Sequence, residues 1–198
     1  MNKTVLPFEF SLKRKNFEKI RGSKSFCVWF FGLSGSGKST LANELQKAMF
    51  QLGIYPALLD GDTLRSGLNK DLNFSNIDRD ENIRRTIEIS KLFIDTGVPV
   101  INSLITPSSH HRKEIIREMK EDVKLIWVST PLSICQSRDT KGLYKKAVEG
   151  EISNFTGINA QFEVPEEECL VVNAGEESIE NCLKKILIYI SEFLVPIK

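Results

Sequence analysis

Cysteine is scarce in this chain of 198 residues, and the four present are scattered: Cys27, Cys135, Cys169 and Cys182 form no C-x-x-C pair. That spacing excludes a zinc ribbon and a disulfide framework, and predicts reduced core residues of a cytoplasmic protein. Long hydrophobic runs are absent too. No apolar stretch approaches the ~18 residues a membrane span needs, so no membrane partner is expected. Neither charge is in excess, with 27 Lys and Arg against 26 Asp and Glu and a net charge of +1. Such a chain has no general pull on nucleic acid, so any anion site has to be built locally. Histidine is nearly missing. His110 and His111 are neighbours that point apart on a helix, and both are expected to be exposed and free of metal. The segment 1–24 is basic but lacks the apolar core of a signal peptide. Its Lys13-Arg14-Lys15 cluster reads as a solvated or subunit-contacting arm. Repeats, low-complexity tracts and long linkers are also absent, so residues 25–198 read as one domain with a substantial core.

What is present is an alternation. Apolar runs at 26–31, 55–59, 98–102, 123–128 and 169–173 read as strands. Helical patterns fall between them near 38–52, 79–96, 108–121 and 131–150. A last helix near 176–194 carries Ile179, Leu183, Ile186, Ile190 and Phe193 on one core-facing stripe. Near-continuous apolar strands separated by helices predict a mainly parallel sheet covered on both faces, a three-layer α/β/α domain.

The most specific stretch follows the first run. Residues 32–40 read GLSGSGKST, the G-x-x-x-x-G-K-[ST] pattern of a phosphate-binding loop in its strand-then-helix context. Gly32, Ser34, Gly35, Ser36 and Gly37 form the loop. Its glycines let backbone N–H groups turn inward around phosphate oxygens, and the following helix adds its positive end. Lys38 is expected to reach the β- and γ-phosphates, Ser39 to ligate magnesium, and Thr40 to sit over the α-phosphate. The fold is therefore read as a P-loop NTPase fold that takes a nucleoside triphosphate with Mg2+.

The second strand ends in Asp60-Gly61-Asp62-Thr63-Leu64-Arg65. Ligands of open α/β sheets bind at the carboxyl ends of strands, so both acids are expected to face the phosphate loop. An acid there can accept the proton of an attacking hydroxyl or hold magnesium through water. Asp62 is favoured for the chemistry, and Asp60 for a helix cap or a water bridge. Arg65, Arg79, Asn82, Arg84 and Arg85 follow within about one helix and its lead-in loop, and guanidinium forks suit phosphate and sulfate oxygens. Surface ion pairing with the nearby acids describes Arg84 or Arg85. Residues 138–146, RDTKGLYKK, suit a mobile basic lid over about 138–160, with Lys141 delivering charge to the phosphates. Phe74 and Phe162 either sandwich a purine or pack in the core.

Taken together, GLSGSGKST (32–40), LDGDTLRSGLN (59–69), DLNFSNIDRDENIRR (71–85), RDTKGLYKKA (138–147) and GEISNFTGI (150–158) resemble the adenylylsulfate kinases over about residues 26–165. The resemblance implies transfer of the ATP γ-phosphoryl group to the 3′-hydroxyl of adenosine 5′-phosphosulfate. The products would be 3′-phosphoadenosine 5′-phosphosulfate and ADP. It implies that Asp62 lies near the acceptor hydroxyl, and that Arg65, Arg79 and Asn82 hold the phosphosulfate. Phe74 and Phe162 match positions that stack on the acceptor adenine, Lys141 and Leu143 match the lid, and Ile105 and Thr106 line the acceptor. Arg138 would cover the ATP adenine, with the turn Asn173-Ala174-Gly175 behind it. The family is often dimeric, so a homodimer is expected, with a separate sulfate adenylyltransferase supplying the acceptor.

The chain departs from the family after the third strand. Ile105-Thr106-Pro107-Ser108-Ser109-His110-His111-Arg112 stands where the family shows Ile-Ser-Pro-Tyr-Arg. Thr106 replaces a serine that carries a phosphoryl group in some members, and Arg112 is expected to replace the missing arginine from further along. Asn159-Ala160-Gln161-Phe162 replaces an acidic-and-proline approach to the aromatic. A kinase of another nucleotide or sugar, or an ATP-binding module without turnover, are the competing readings.

Overall fold

The computed structural model describes residues 8–197. Helix α1 (Arg14–Arg21) precedes strand β1 (Cys27–Phe31). There follow α2 (Lys38–Gln51), β2 (Ala57–Asp60), α3 (Gly61–Ser66), α4 (Asn76–Asp95) and β3 (Val100–Ser103). Then come α5 (Ser109–Met119), β4 (Val123–Val128), α6 (Leu132–Arg138), α7 (Leu143–Val148), β5 (Leu170–Val172) and α8 (Ile179–Tyr189). The strands form one parallel sheet in the order β2-β3-β1-β4-β5, with Cys27 of β1 beside Val100 on one side and Val123 on the other.

β1 is central because all of its side chains are apolar and all are buried. Alternate residues of a strand face opposite layers. Val28 and Phe30 pack with Leu41, Leu45 and Met49 of α2 and with Ile186 of α8. Trp29 and Phe31 pack with Ile83 and Ile87 of α4 and with Ile115 and Met119 of α5. The result is the expected α/β/α sandwich. Ser75, Ser108 and Ser178 cap α4, α5 and α8 with their side-chain oxygens, each worth about 0.5–2 kcal/mol of helix stability. The chain leaves β1 toward β2 and β3 on one side and toward β4 and β5 on the other. The carboxyl end of β1 is therefore the switch point where such sheets bind ligands.

Three expectations are corrected. The helix expected over 131–150 is two helices, because the Asp139 carboxylate accepts from the Tyr144 and Lys145 amides at 3.0 and 3.1 Å and starts a new helix there. On α8 the buried stripe runs through Cys182, Ile186 and Ile190 at four-residue spacing, and Ile179 in the first turn is half exposed. Arg14 is not a solvated residue. Its guanidinium contacts Asp122 at 2.6 Å and Glu18 at 2.8 Å, and Glu18 accepts from the Ser25 amide and hydroxyl. Helix α1 thus docks on the body, so closely that a Cβ on Gly97 (φ 75°) would come within 2.6 Å of the Phe17 Cβ. Residues 1–7 of the expected arm lie outside the described residues.

Candidate functional site

The loop from Gly32 to Gly37 joins β1 to α2. Gly32 has φ 144°, and a Cβ there would lie 2.5 Å from the Val128 carbonyl oxygen, so no other residue fits the turn. Lys38 opens α2, is buried, and donates from Nζ to the Leu33 carbonyl at 2.7 Å. Burial pulls its ammonium down to about 8, with Asp60 and Asp62 acting in the opposite direction. Beside it the Ser39 hydroxyl donates to Asp60 Oδ2 at 2.6 Å and lies 3.3 Å from the Ser103 hydroxyl. The other oxygen of Asp60 accepts from the Asp62 amide at 3.1 Å and caps α3. Ser39, Asp60 and Ser103 are hard oxygen donors, the chemistry Mg2+ prefers. Among the described residues no cluster of three His, Cys, Asp or Glu side chains forms a ready-made metal cage. Thr40, one residue on in the first turn of α2, is exposed.

Asp62 is exposed and forms an ion pair with Lys141 from the turn between α6 and α7. That turn belongs to a small satellite core of Cys135, Tyr144, Ala147 and Phe155, with Leu143 packed against it. The Tyr144 hydroxyl donates to the Ser34 carbonyl at 2.9 Å and fastens this unit to the phosphate loop. Arg138 bridges the same loop to the turn near Ala174. It donates to the Gly35 and Ser36 carbonyls at 3.3 and 3.5 Å and to the Ala174 carbonyl at 2.7 Å.

On the α4 side, Arg65 donates to the Leu72 and Asn73 carbonyls at 3.2 and 2.9 Å, with its guanidinium 4.5 Å from the centre of the Phe74 ring. Arg79 donates to the Phe74 carbonyl at 3.1 Å, to the Thr156 hydroxyl at 3.3 Å, and to the Asn154 carbonyl. Burial pulls both guanidinium groups below their ordinary range, and the Arg65 charge adds to the effect on Arg79. Two cations that act on each other in this way favour an anion beside them. Asn82 is buried. Its Oδ1 accepts from Asn69 at 2.9 Å, and its carbonyl begins a ladder through Thr86 and Ser90 to Asn102 of β3. Arg84 and Arg85 form ion pairs with Glu81 and Asp71.

Phe162 lies in a row of near-parallel rings, 6.3 Å from Trp127 and 6.5 Å from Phe31. It forms one wall of a cavity of about 590 Å3 beside Leu33 of the phosphate loop and Leu132 of α6. Phe74 is not among the walls of this cavity, so the structure does not itself bring the two phenylalanines together around it.

The segment after β3 differs most from expectation. The Ile105 carbonyl accepts from the Gly32 amide at 3.1 Å and joins this turn to the phosphate loop. Thr106 has φ 44° and is 2 % exposed, and its hydroxyl accepts from Trp29 Nε1 at 3.0 Å. Its side chain therefore faces the sheet, leaving only backbone toward the site. Arg112 does not replace a binding arginine. It is fully buried, pairs with Glu167 at 2.9 Å, and donates to the Thr106 and Pro107 carbonyls at 3.4 and 3.2 Å. Burial pushes the Glu167 carboxyl up, but the Ser109 hydroxyl and Arg112 outweigh it and hold it at about 2. His111 is buried rather than exposed, because Asp80 of α4 meets its Nε2 at 2.6 Å; its ring lies 5.8 Å from that of His110. Tyr144, Thr156 and the Asn154 carbonyl join the site beyond the residues expected one by one, and each lies in a stretch already marked, RDTKGLYKKA or GEISNFTGI.

The model of the adenylylsulphate kinase family matches residues 24–173. The chain is 44% identical to the adenylyl-sulfate kinase of Clostridium kluyveri, over 90% of this chain and 89% of that one. It is 47% identical to the adenylyl-sulfate kinase of Prochlorococcus marinus, over 89% of each. Its fold is similar to that of the Mycobacterium tuberculosis APS kinase CysC in complex with AMPPNP and APS, with TM-score 0.80 and 38% identity, covering 85% of this chain and 99% of the other.

Proposed function

Because the chain belongs to the adenylylsulphate kinase family, we propose that the residues assembled at the carboxyl end of the sheet divide one phosphoryl transfer among them. The enzyme phosphorylates adenosine 5′-phosphosulfate with ATP and yields 3′-phosphoadenosine 5′-phosphosulfate and ADP. The observation that carries the division of labour is Asp60. It accepts from the Ser39 hydroxyl with one oxygen and from the Asp62 amide with the other. One carboxylate thus ties the residue suited to magnesium to the residue suited to the acceptor hydroxyl.

Phosphoryl transfer needs little covalent work from the protein; alignment and neutralisation of charge supply the rate. The loop of Gly32, Ser34, Gly35, Ser36 and Gly37 holds the phosphates, with the Gly32 and Ser36 amides fixing its shape through the Ile105 and Leu33 carbonyls, and Thr40 lies over the α-phosphate. Lys38 turns from the Leu33 carbonyl to the β- and γ-oxygens. Ser39, with Asp60 and Ser103 behind it, would hold Mg2+, which when bound would neutralise phosphate charge. Asp62 orients the 3′-hydroxyl and takes its proton, an effect worth about 10²–10⁴ in rate. Arg65, Arg79 and Asn82 hold the phosphosulfate. Ile105 and Thr106 line it through their backbone. Phe162 stacks on the acceptor adenine, and Phe74, carrying Arg65, forms its outer edge. Lys141 and Leu143 close the lid over the acceptor, and Arg138 covers the ATP adenine. A homodimer and a separate sulfate adenylyltransferase belong to the same reading. No helix among the described residues is long and apolar enough to cross a membrane.

The test is ADP release from MgATP with and without low-micromolar adenosine 5′-phosphosulfate, with the product identified by mass. Strong stimulation with a 3′-phosphorylated product is expected. ATP binding without stimulation would point instead to another nucleotide or sugar acceptor, or to a module without turnover.

A further inference from the structure

The cavity beside Phe162 has apolar walls from Leu33, Leu132, Ile158 and the Phe162 ring, and only two of its lining side chains carry amides, Asn159 and Gln161. It is an open cleft of about 590 Å3, a volume in the range of small-ligand clefts. The Asn159 amide is already used. Its oxygen accepts from the Phe155 amide, and its nitrogen donates to the Ile152 carbonyl at 3.0 Å. Both bonds close its own loop, the one that ends in the short bridge between Thr156 and Ala160. Gln161 is exposed and bonds to no other described side chain.

We infer that the Gln161 amide reads the base of the acceptor nucleotide. This rests on the reading above that the acceptor purine stacks on Phe162. A ring stacked on an aromatic face gains affinity that is blind to base identity, since every base has a π-face. Identity has to be read at the ring edge by a donor and an acceptor. A primary amide offers both, side by side. Adenine presents an amino donor beside a ring-nitrogen acceptor, so Oε1 of Gln161 accepts from the 6-amino group while Nε2 donates to the ring nitrogen. Phe162 is held against Phe31 and Trp127, which makes its ring a rigid platform, and the neighbouring Gln161 supplies the polar contact at its rim.

The experiment measures kcat and KM for adenosine 5′-phosphosulfate and for its analogue without the 6-amino group, purine riboside 5′-phosphosulfate, in the wild type, Gln161→Ala and Gln161→Glu. The alanine variant is expected to raise KM for the adenosine substrate about tenfold and to shrink its preference over the analogue by a similar factor. Its kcat and its KM for MgATP should stay within about twofold of wild type. Gln161→Glu keeps the size but loses the donor, and should match alanine. An active wild type whose variants show unchanged KM and unchanged preference would overturn the base contact alone. An equal rise in both KM values would also overturn it, by revealing a general disturbance of the site. A wild type inert toward the adenosine substrate would overturn the reading of the site on which the inference rests.

Discussion

Lys141, in the turn between α6 and α7, forms an ion pair with Asp62 at the head of α3. Both side chains are more than half exposed, so the pair is screened and adds little to stability. Its importance is positional. It joins the lid to the carboxylate we assign to the acceptor hydroxyl. Asp62→Asn should keep MgATP binding and lower kcat by about 10²–10⁴. Lys141→Ala should lower kcat and raise KM for the acceptor together, as expected for a lid residue. Calorimetry with a non-hydrolysable ATP analogue, alongside steady-state kinetics, separates the two effects. An Asp62→Asn enzyme of wild-type kcat would remove Asp62 from the mechanism.

Burial disfavours the charge of Lys38 and pulls its ammonium down to about 8. Polyphosphate binds the protonated ammonium and raises its pKa in the complex. Affinity for the nucleotide should then be level below pH 8 and fall above it, by about tenfold at pH 9. Lys38→Met should bind more weakly and without that slope. A flat profile for the wild type over pH 7–9.5 would contradict this picture of Lys38.

Glu167 gives a stability change with the opposite pH dependence. Its carboxyl is held at about 2, below its ordinary 4.5, by Ser109 and Arg112 against the effect of burial. A depressed carboxylate contributes stability that is fully present above its unfolded value and is lost as pH falls through its folded value. Between pH 4.5 and pH 2 the wild type should lose stability more steeply than Glu167→Gln. At pH 7 the variant, with Arg112 left buried and unpaired, should be about 3–5 kcal/mol less stable. Urea unfolding at several pH values measures both.

Thr106 accepts a hydrogen bond from Trp29 and is almost wholly buried. Its hydroxyl is turned from the phosphate loop, so incubation with MgATP should leave the intact protein mass unchanged. A gain of one phosphoryl group on a peptide containing Thr106 would show that the 105–107 turn opens. Thr106→Ser should be active, since the serine hydroxyl can meet the same indole.

The parts of the site that were legible in the sequence are those whose geometry is local. GLSGSGKST is contiguous, and its glycines, lysine and hydroxyl act on one phosphate chain through one turn. The strands were legible because buried parallel strands are apolar runs, and the helices came through wherever a capping serine met an apolar period. What was hidden is what the fold joins from far apart. The Lys141 contact spans 79 residues, and both Trp29 to Thr106 and Arg79 to Thr156 span 77. His111 looked exposed because its own helix offers it nothing; Asp80, which buries it, belongs to α4. Arg112 looked like an anion ligand because nothing near it in sequence shows that Glu167, 55 residues on, already claims its charge.

Helix α1 returns to residues that the chain makes much later. Arg14 waits for Asp122, 108 positions away, and Ser25, which holds Glu18, waits for the Ile94 carbonyl 69 positions on. Ile94 lies just before β3 and Asp122 just before β4, so these contacts hold helix α1 at the amino ends of the strands, while the phosphate loop leaves the carboxyl end of β1. Local opening of α1 can therefore leave the phosphate loop intact. The helix is a clasp at one end of the sheet, and the chemistry belongs to the other.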